Sequence, residues 1–304
     1  MSILYLSTPE RGAIFRAQLA DALPGTLFYE GHAPDPAAVT VMIAWTCSRD
    51  HFATHPNLAL LISIGAGVDQ LDLSAVPPHV RVVRMLEPGL PEQMAEWVTM
   101  AVLALHRDLP TYLAQARNGL WKPGRNLPAR QRRVGIMGMG QLGQAVLSAL
   151  KPFGFPLAGY SRRGTAPDGV EGFTDIDAFL ARTDLLIGLL PLTAETEGIF
   201  NAGFFAKLPY GANFVQAGRG RQLKSADLIA ALESGQLASA ILDVTDPEPL
   251  PVDHPLWQHP HVIITPHIAC QTRAEDGARH VVAVLRAWQA GEPIPGLIDR
   301  ARGY

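Results

Sequence analysis

Gly138-Met139-Gly140-Gln141-Leu142-Gly143 follows directly on the strand-like run Arg133-Val134-Gly135-Ile136-Met137 and opens a helical pattern over 141–150. In that setting, three glycines serve three needs. Gly138 permits a tight turn, Gly140 lets the backbone approach a diphosphate, and Gly143 lets the helix lie close to the sheet with its amides facing negative charge. The pattern points to a bound dinucleotide rather than a purely structural glycine turn. A site for NAD(H) places an acid at the end of the second strand, roughly 20 residues on, to accept from the ribose hydroxyls. Here that strand ends in Gly159-Tyr160-Ser161-Arg162-Arg163. A carboxylate is missing, and two guanidinium groups stand where a 2′-phosphate would lie, which favours NADP(H) with NAD(H) weaker. The alternative is that Arg162 and Arg163 are ordinary solvated charges.

Three further segments follow later strands of the same alternation: Gln216-Ala217-Gly218-Arg219-Gly220, the stretch 243–251 containing Asp243 and Glu248, and Thr265-Pro266-His267-Ile268-Ala269. Loops at the carboxyl ends of such strands surround the nicotinamide half of a bound dinucleotide. They bring a guanidinium, carboxylates and an imidazole. A metal centre is not expected from His254, His259, His261 and His267, which lie in a Pro-rich connection without helical pairing or accompanying Cys ligands.

Positioning these groups requires sheets, and the chain alternates short apolar, β-branched runs with helical patterns throughout, the mark of α/β folds with parallel sheets covered on both faces. Strands are predicted near 2–7, 26–30, 39–46, 59–64 and 80–85, and then at 133–137, 156–160, 184–190, 212–216, 239–244 and 261–265. Between the groups, Met94, Trp97, Val98, Ala101, Val102 and Leu105 recur at helical spacing, giving a long helix that bridges to a second domain. Residues 112–128, with Trp121, Lys122, Pro123 and Gly124, form either an arm against a partner subunit or a loop over their own domain. A last helix, 275–290, is expected to return to the first domain. The expected division is 1–98 with 276–304, and 99–275.

Composition narrows the function classes. The chain has 304 residues, 48% hydrophobic and 17% charged, which is globular rather than disordered. Its net charge of −3 favours neither nucleic acid nor an anionic membrane as partner. The first residues lack the basic and apolar parts of a secretory signal, so the mature protein is expected to begin there. Apolar runs fall far short of the roughly 20 residues needed to span a bilayer. Two distant cysteines, Cys47 and Cys270, suit a reducing cytoplasm.

Taken together, these motifs resemble the D-2-hydroxyacid dehydrogenase family, and within it the glyoxylate/hydroxypyruvate reductase A-type branch. The likeness runs nearly end to end. It includes Gly65-Ala66-Gly67-Val68-Asp69, the glycine loop, the Arg-Gly pair, the Asp-Val pair with Glu-Pro-Leu-Pro, Pro-Leu-Trp at 255–257, Thr-Pro-His-Ile-Ala, and the tail Asp299-Arg300-Ala301-Arg302-Gly303-Tyr304. The resemblance implies two doubly wound parallel-sheet domains, a Rossmann cofactor domain inserted into a flavodoxin-like substrate domain. It implies NADPH-dependent reduction of small 2-oxo acids to 2-hydroxy acids in a cleft whose closure excludes water. By that likeness His267 is the acid/base, Glu248 the acid that pairs with its imidazole, and Arg219 the residue that binds the substrate carboxylate and polarises the carbonyl. Backbone amides of Ala66, Gly67 and Val68 resemble a second carboxylate anchor. Asp243 resembles the residue bonding the nicotinamide carboxamide, with Ala217 and Gly218 alongside, and Leu190-Pro191 the stretch flanking adenosine and ribose. Trp45 is similar in position to an aromatic that closes the substrate pocket, or is a core aromatic at a strand end. A homodimer through 112–128 follows from the same likeness. The chain departs from the family at Gln216 and Gly218, where Asn and then Ala or Ser are common.

Rival readings remain. Cys270, three residues after His267, could be imagined as a nucleophile, but the family chemistry gives that position no covalent role, so a small buried residue is expected. Nucleotide-sensing corepressors share this fold, yet the chain has neither a peptide groove nor an interaction tail. A formate dehydrogenase of the superfamily would pair the catalytic His with Gln, against Glu248. A dehydrogenase for another 2-hydroxy acid is the nearer alternative.

Overall fold

The computed structural model describes residues 1–68, 70–87, 89–124 and 126–300. Asp69 and residues 301–304, both within the motifs above, lie outside the described residues. The chain forms two compact units, Met1–Leu90 with Gln271–Tyr304, and Pro91–Cys270.

The first unit holds β1 (Ser2–Leu6), β2 (Leu27–Glu30), β3 (Val39–Ala44), β4 (Leu60–Ser63) and β5 (Arg81–Val83) in the order β2-β1-β3-β4-β5. This is the flavodoxin-like order, and the pairings are parallel. Runs such as Leu60-Leu61-Ile62-Ser63 are buried along their whole length because helices cover both faces. The helix Ala274–Ala290 belongs to this unit and lies along Pro9–Ala22, tied by Arg11 to the Thr272 carbonyl and by Arg286 to the Ala22 carbonyl.

The second unit contains β6 (Val134–Met137), β7 (Leu157–Tyr160), β8 (Glu171–Phe173), β9 (Leu185–Gly188), β10 (Ala212–Gln216), β11 (Leu237–Leu242) and β12 (Val262–Ile264), in the order β12-β11-β10-β9-β6-β7-β8. This is the Rossmann order with one strand added beyond the sixth. That added strand is β12; six strands were expected here, and the one not expected is β8. Of its three residues at the sheet edge, Glu171 and Gly172 are exposed and only Phe173 packs inward, so there is no apolar run for hydrophobic patterning to detect.

Alternation along these strands feeds one core on each face. Leu186, Phe214, Ala240 and Leu242 join Phe179, Phe200 and Phe205 on one side. Leu185, Ile187, Val215 and Ile241 point to the other, where they meet Met94, Trp97, Val98, Ala101, Val102 and Leu105. Those six are the residues whose spacing predicts the long helix, observed as Gly89–His106. At the amino ends of β6 and β9, Arg133 grips Asp184 through its backbone N–H and two guanidinium nitrogens at 2.9, 2.9 and 2.6 Å. Burial alone would raise the Asp184 carboxyl; the Arg133 bonds outweigh it and hold it below the ordinary range. That clamp fixes the two strands between which the sheet order reverses.

Residues 112–117 lie within the helix Leu109–Arg117, and beyond it the Gly124 N–H donates back to the Tyr112 hydroxyl at 2.8 Å. Trp121, before that glycine, is 99% exposed.

Candidate active site

Each candidate residue of the second unit sits at the carboxyl end of a strand. The glycine loop follows β6, Ser161-Arg162-Arg163 follows β7, Leu190-Pro191 follows β9, Ala217-Gly218-Arg219 follows β10, Asp243 follows β11, and His267 follows β12. The order reverses between β9 and β6, and the crevice at that point is where open α/β sheets bind nucleotides. The sheet therefore sorts the candidates: Arg162 and Arg163 lie on one side of the glycine loop, and Arg219, Asp243, Glu248 and His267 on the other.

The glycine loop has the geometry a diphosphate requires. Gly138 adopts φ +107°, and a Cβ there would meet the Leu189 carbonyl oxygen at 2.4 Å, so the turn admits only glycine. A Cβ at Gly143 would lie 2.0 Å from the Gly138 carbonyl oxygen, which is how closely the helix Gln141–Leu150 approaches the loop. A Cβ on Gly140, the residue before that helix, would meet nothing within 4 Å, leaving room beside the helix amides for an anion. Arg162 and Arg163 are exposed in the turn after β7, and Arg162 contributes to lowering the Glu195 carboxyl behind the hydroxyl bond from Thr193.

A hydrogen-bonded imidazole–carboxylate pair is built around His267. Its Nδ1 lies 2.8 Å from Glu248 Oε2, while Glu248 Oε1 accepts from the Thr245 N–H at 3.0 Å. Burial would raise the Glu248 carboxyl, but the His267 bond, the Thr245 N–H and the charges of His267 and Arg219 together hold it below the usual range. An ionised carboxylate can only accept, so Nδ1 carries a proton and Nε2 is the nitrogen left to exchange one.

His267 is also one of two described non-glycine residues with positive φ, at +54°. Such a conformation costs about 1–3 kcal/mol and needs support. Asp243, 2% exposed, supplies it. Its carbonyl accepts from the His267 N–H at 2.8 Å, and its carboxylate takes the Thr265 hydroxyl at 2.6 Å and the Ile268 and Ala269 N–H groups at 2.9 and 2.8 Å. Arg219 Nη1 donates to the Gly218 carbonyl at 2.9 Å.

In the first unit, Trp45 follows β3 and Ala66, Gly67 and Val68 follow β4. Ser63 organises that loop: its hydroxyl donates to the Gly67 carbonyl at 2.9 Å and accepts from the Gly65 N–H at 3.1 Å and Gln70 Nε2 at 2.8 Å. The Trp45 ring is 43% exposed and lies where a Cβ on Gly65 would be, 2.7 Å from it.

Several of these supports escape sequence reasoning. Ser63, Gln70 and Thr245 have no local signal, because each acts on a backbone group that the fold alone brings near. Among the described residues no group of three or more His, Cys, Asp or Glu side chains could hold a metal ion, and no helix is long and apolar enough to cross a membrane.

The chain as a whole is similar to known proteins. Residues 99–269 match the family model described as D-isomer specific 2-hydroxyacid dehydrogenase, NAD binding domain. Over 314 aligned positions spanning 100% of both chains, the sequence is 36% identical to glyoxylate/hydroxypyruvate reductase A of Salmonella newport strain SL254. A D-isomer specific 2-hydroxyacid dehydrogenase from Xanthobacter autotrophicus Py2, solved in complex with NADPH and MES, is similar with a TM-score of 0.92 at 37% identity, over 100% of this chain and 99% of the other. The NADPH-dependent glyoxylate/hydroxypyruvate reductase from Sinorhizobium meliloti, in complex with NADP and sulfate, gives 0.91 at 36% over the same shares.

A depressed carboxyl contributes its bond to stability above its unfolded-state pKa and loses it as pH falls through the lower folded value. Glu248 should therefore titrate below an ordinary glutamate when followed by carboxyl 13C NMR, and Glu248→Gln should abolish that titration and shift the His267 ring signals. A Glu248 midpoint at or above the free value would mean that the pairing with His267 is not made in solution.

Proposed function

The chain belongs to the D-isomer specific 2-hydroxyacid dehydrogenase family, and from that premise we propose that it reduces glyoxylate, hydroxypyruvate and similar small 2-oxo acids with NADPH. The observation that carries the reading is the His267–Glu248 pair at the end of the sheet that also presents Arg219. Arg219 holds the substrate carboxylate and polarises the adjacent carbonyl. The nicotinamide, when bound, supplies the hydride to the carbonyl carbon. His267 gives its Nε2 proton to the carbonyl oxygen as that oxygen gains charge, yielding the 2-hydroxy acid and a neutral imidazole. Glu248 stabilises the imidazolium before transfer and keeps Nδ1 protonated throughout. The amides of Ala66, Gly67 and Val68 and the Trp45 ring are assigned to the substrate by the family likeness.

The cofactor would be held by Gly138, Met139, Gly140, Gln141, Leu142 and Gly143 at its diphosphate, by Ser161, Arg162 and Arg163 at the 2′-phosphate, and by Leu190 and Pro191 along adenosine and ribose. Ala217, Gly218 and Asp243 would border the nicotinamide. Three donors already occupy the Asp243 carboxylate, so a carboxamide contact must use the acceptor capacity they leave. A substrate domain and a cofactor domain, the expected bounds 1–98 with 276–304 and 99–275 shifting so that Met94 to Leu105 go with the second, and a cytoplasmic location complete the reading. So does a homodimer through 112–128, supported by the exposure of Leu120 and Trp121.

A steady-state panel of 2-oxo acids with NADPH and NADH tests the assignment. Glyoxylate and hydroxypyruvate with NADPH should give the highest kcat/KM, reduction should fall and oxidation rise with increasing pH where chemistry limits turnover, and flat pH profiles would exclude His267 as proton donor. Replacing Arg162 and Arg163 together by Ser should weaken NADPH by about 10- to 100-fold, the scale of lost charged hydrogen bonds, with little change for NADH. Equal loss of both would remove them from the 2′-phosphate. Trp121→Glu should shift the particle from dimer to monomer in light scattering; a monomeric wild type would rule the dimer out.

A further inference from the structure

Behind Arg219 lie two carboxamides that the chemistry above does not use. Gln216 ends β10 and Gln222 ends the single 3-10 turn Gly220–Gln222, and both side chains are fully buried. Carbonyl oxygens only accept and N–H groups only donate, so the neighbours fix which end of each amide is nitrogen. Gln222 Nε2 donates to the Leu190 and Pro191 carbonyls at 3.1 and 3.0 Å. Its Oε1 accepts from the Arg219 N–H at 3.0 Å and from Gln216 Nε2 at 3.1 Å. Gln216 Nε2 also donates to the Arg219 carbonyl at 2.9 Å.

The backbone of Arg219 is thus gripped at its N–H and its carbonyl by side chains. The amide that holds the N–H simultaneously holds the two carbonyls after β9. Gly218 closes the arrangement: a Cβ there would lie 2.5 Å from Gln222 Oε1 and 3.1 Å from the Leu190 carbonyl oxygen. Gln216 Oε1 is buried without a hydrogen-bond partner, so Gln216 contributes through its nitrogen alone. Gln216 and Gly218 are the positions that accommodate Gln222.

We propose that Gln222 is a positioning residue that fixes the Arg219 turn against Leu190-Pro191, so that the aim of the guanidinium at a substrate carboxylate and the placing of the nucleotide-flanking segment depend on one amide. The inference rests on the role given to Arg219 above. Methionine at 222 would keep the volume and strand the Arg219 N–H and both carbonyls. Glutamate would set an anionic oxygen against two carbonyl oxygens.

The test compares wild type, Gln222→Met, Arg219→Ala and the double variant in glyoxylate reduction at saturating NADPH, with NADPH binding followed separately by fluorescence titration. Gln222→Met should raise KM for glyoxylate about tenfold or more, with a smaller change in kcat, as expected when ground-state and transition-state binding are lost together, and should weaken NADPH several-fold. In the Arg219→Ala background the same substitution should change kcat/KM less than about twofold, because its effect passes through Arg219. A wild-type KM in folded Gln222→Met, unchanged NADPH affinity, or losses that multiply with Arg219→Ala would overturn the proposal. If Gln222→Met does not fold, Gln222→Asn, which stays polar but is one methylene too short to span the Arg219 N–H and both carbonyls, carries the same cycle. Near-normal turnover in Arg219→Ala would instead sink the proposed function and not the packing described here.

Discussion

An imidazole that exchanges protons is useful only if one nitrogen is committed and the other is not. The 2.8 Å bond between His267 and Glu248 makes that commitment. Much of the surrounding structure serves to hold it: the Thr245 N–H orients the carboxylate, and Asp243 gathers three donors to keep the His267 segment in a left-handed turn. The strain at His267 is thereby offset by hydrogen bonds between neighbouring strand ends, and the ring is aimed by the fold rather than by its own rotamer preference.

Parallel sheets make this economical. All strand directions agree, so every loop that carries chemistry emerges at the same edge, and lateral position along the sheet becomes a chemical coordinate. The glycine loop occupies the reversal point, Arg162 and Arg163 lie one strand to one side, and Arg219, Glu248 and His267 lie two to four strands to the other. Strand spacing of about 4.8 Å sets the scale on which these groups are separated.

Sequence alone made much of this legible. The apolar runs mark eleven of the twelve strands among the described residues because buried parallel strands have a continuous hydrophobic signature, and the spacing of Met94 to Leu105 identifies the face of the long helix. The glycine loop was recognisable because strand, turn and helix are adjacent in sequence. What stayed hidden depends on residues that meet only after folding. β8 is too short and exposed to show periodicity, and Gln222 looks like any polar residue after an Arg-Gly pair. The roles of Arg219, Glu248 and His267 came from family likeness; spacing alone would have left His267 as readily structural. The bond between His267 and Glu248 is a contact that the structure supplies.

The order of the two units along the chain has a consequence for biosynthesis. Residues 91–270 are contiguous and can complete their seven-stranded sheet as soon as they have left the ribosome. The other unit cannot, because the helix that covers Pro9–Ala22 and the segment that bonds β5 and the residue after it, Ile298 to Val82 and Gly296 to Arg84, are translated after the intervening unit. Its apolar strands therefore wait, made but unsealed, for the length of the intervening domain.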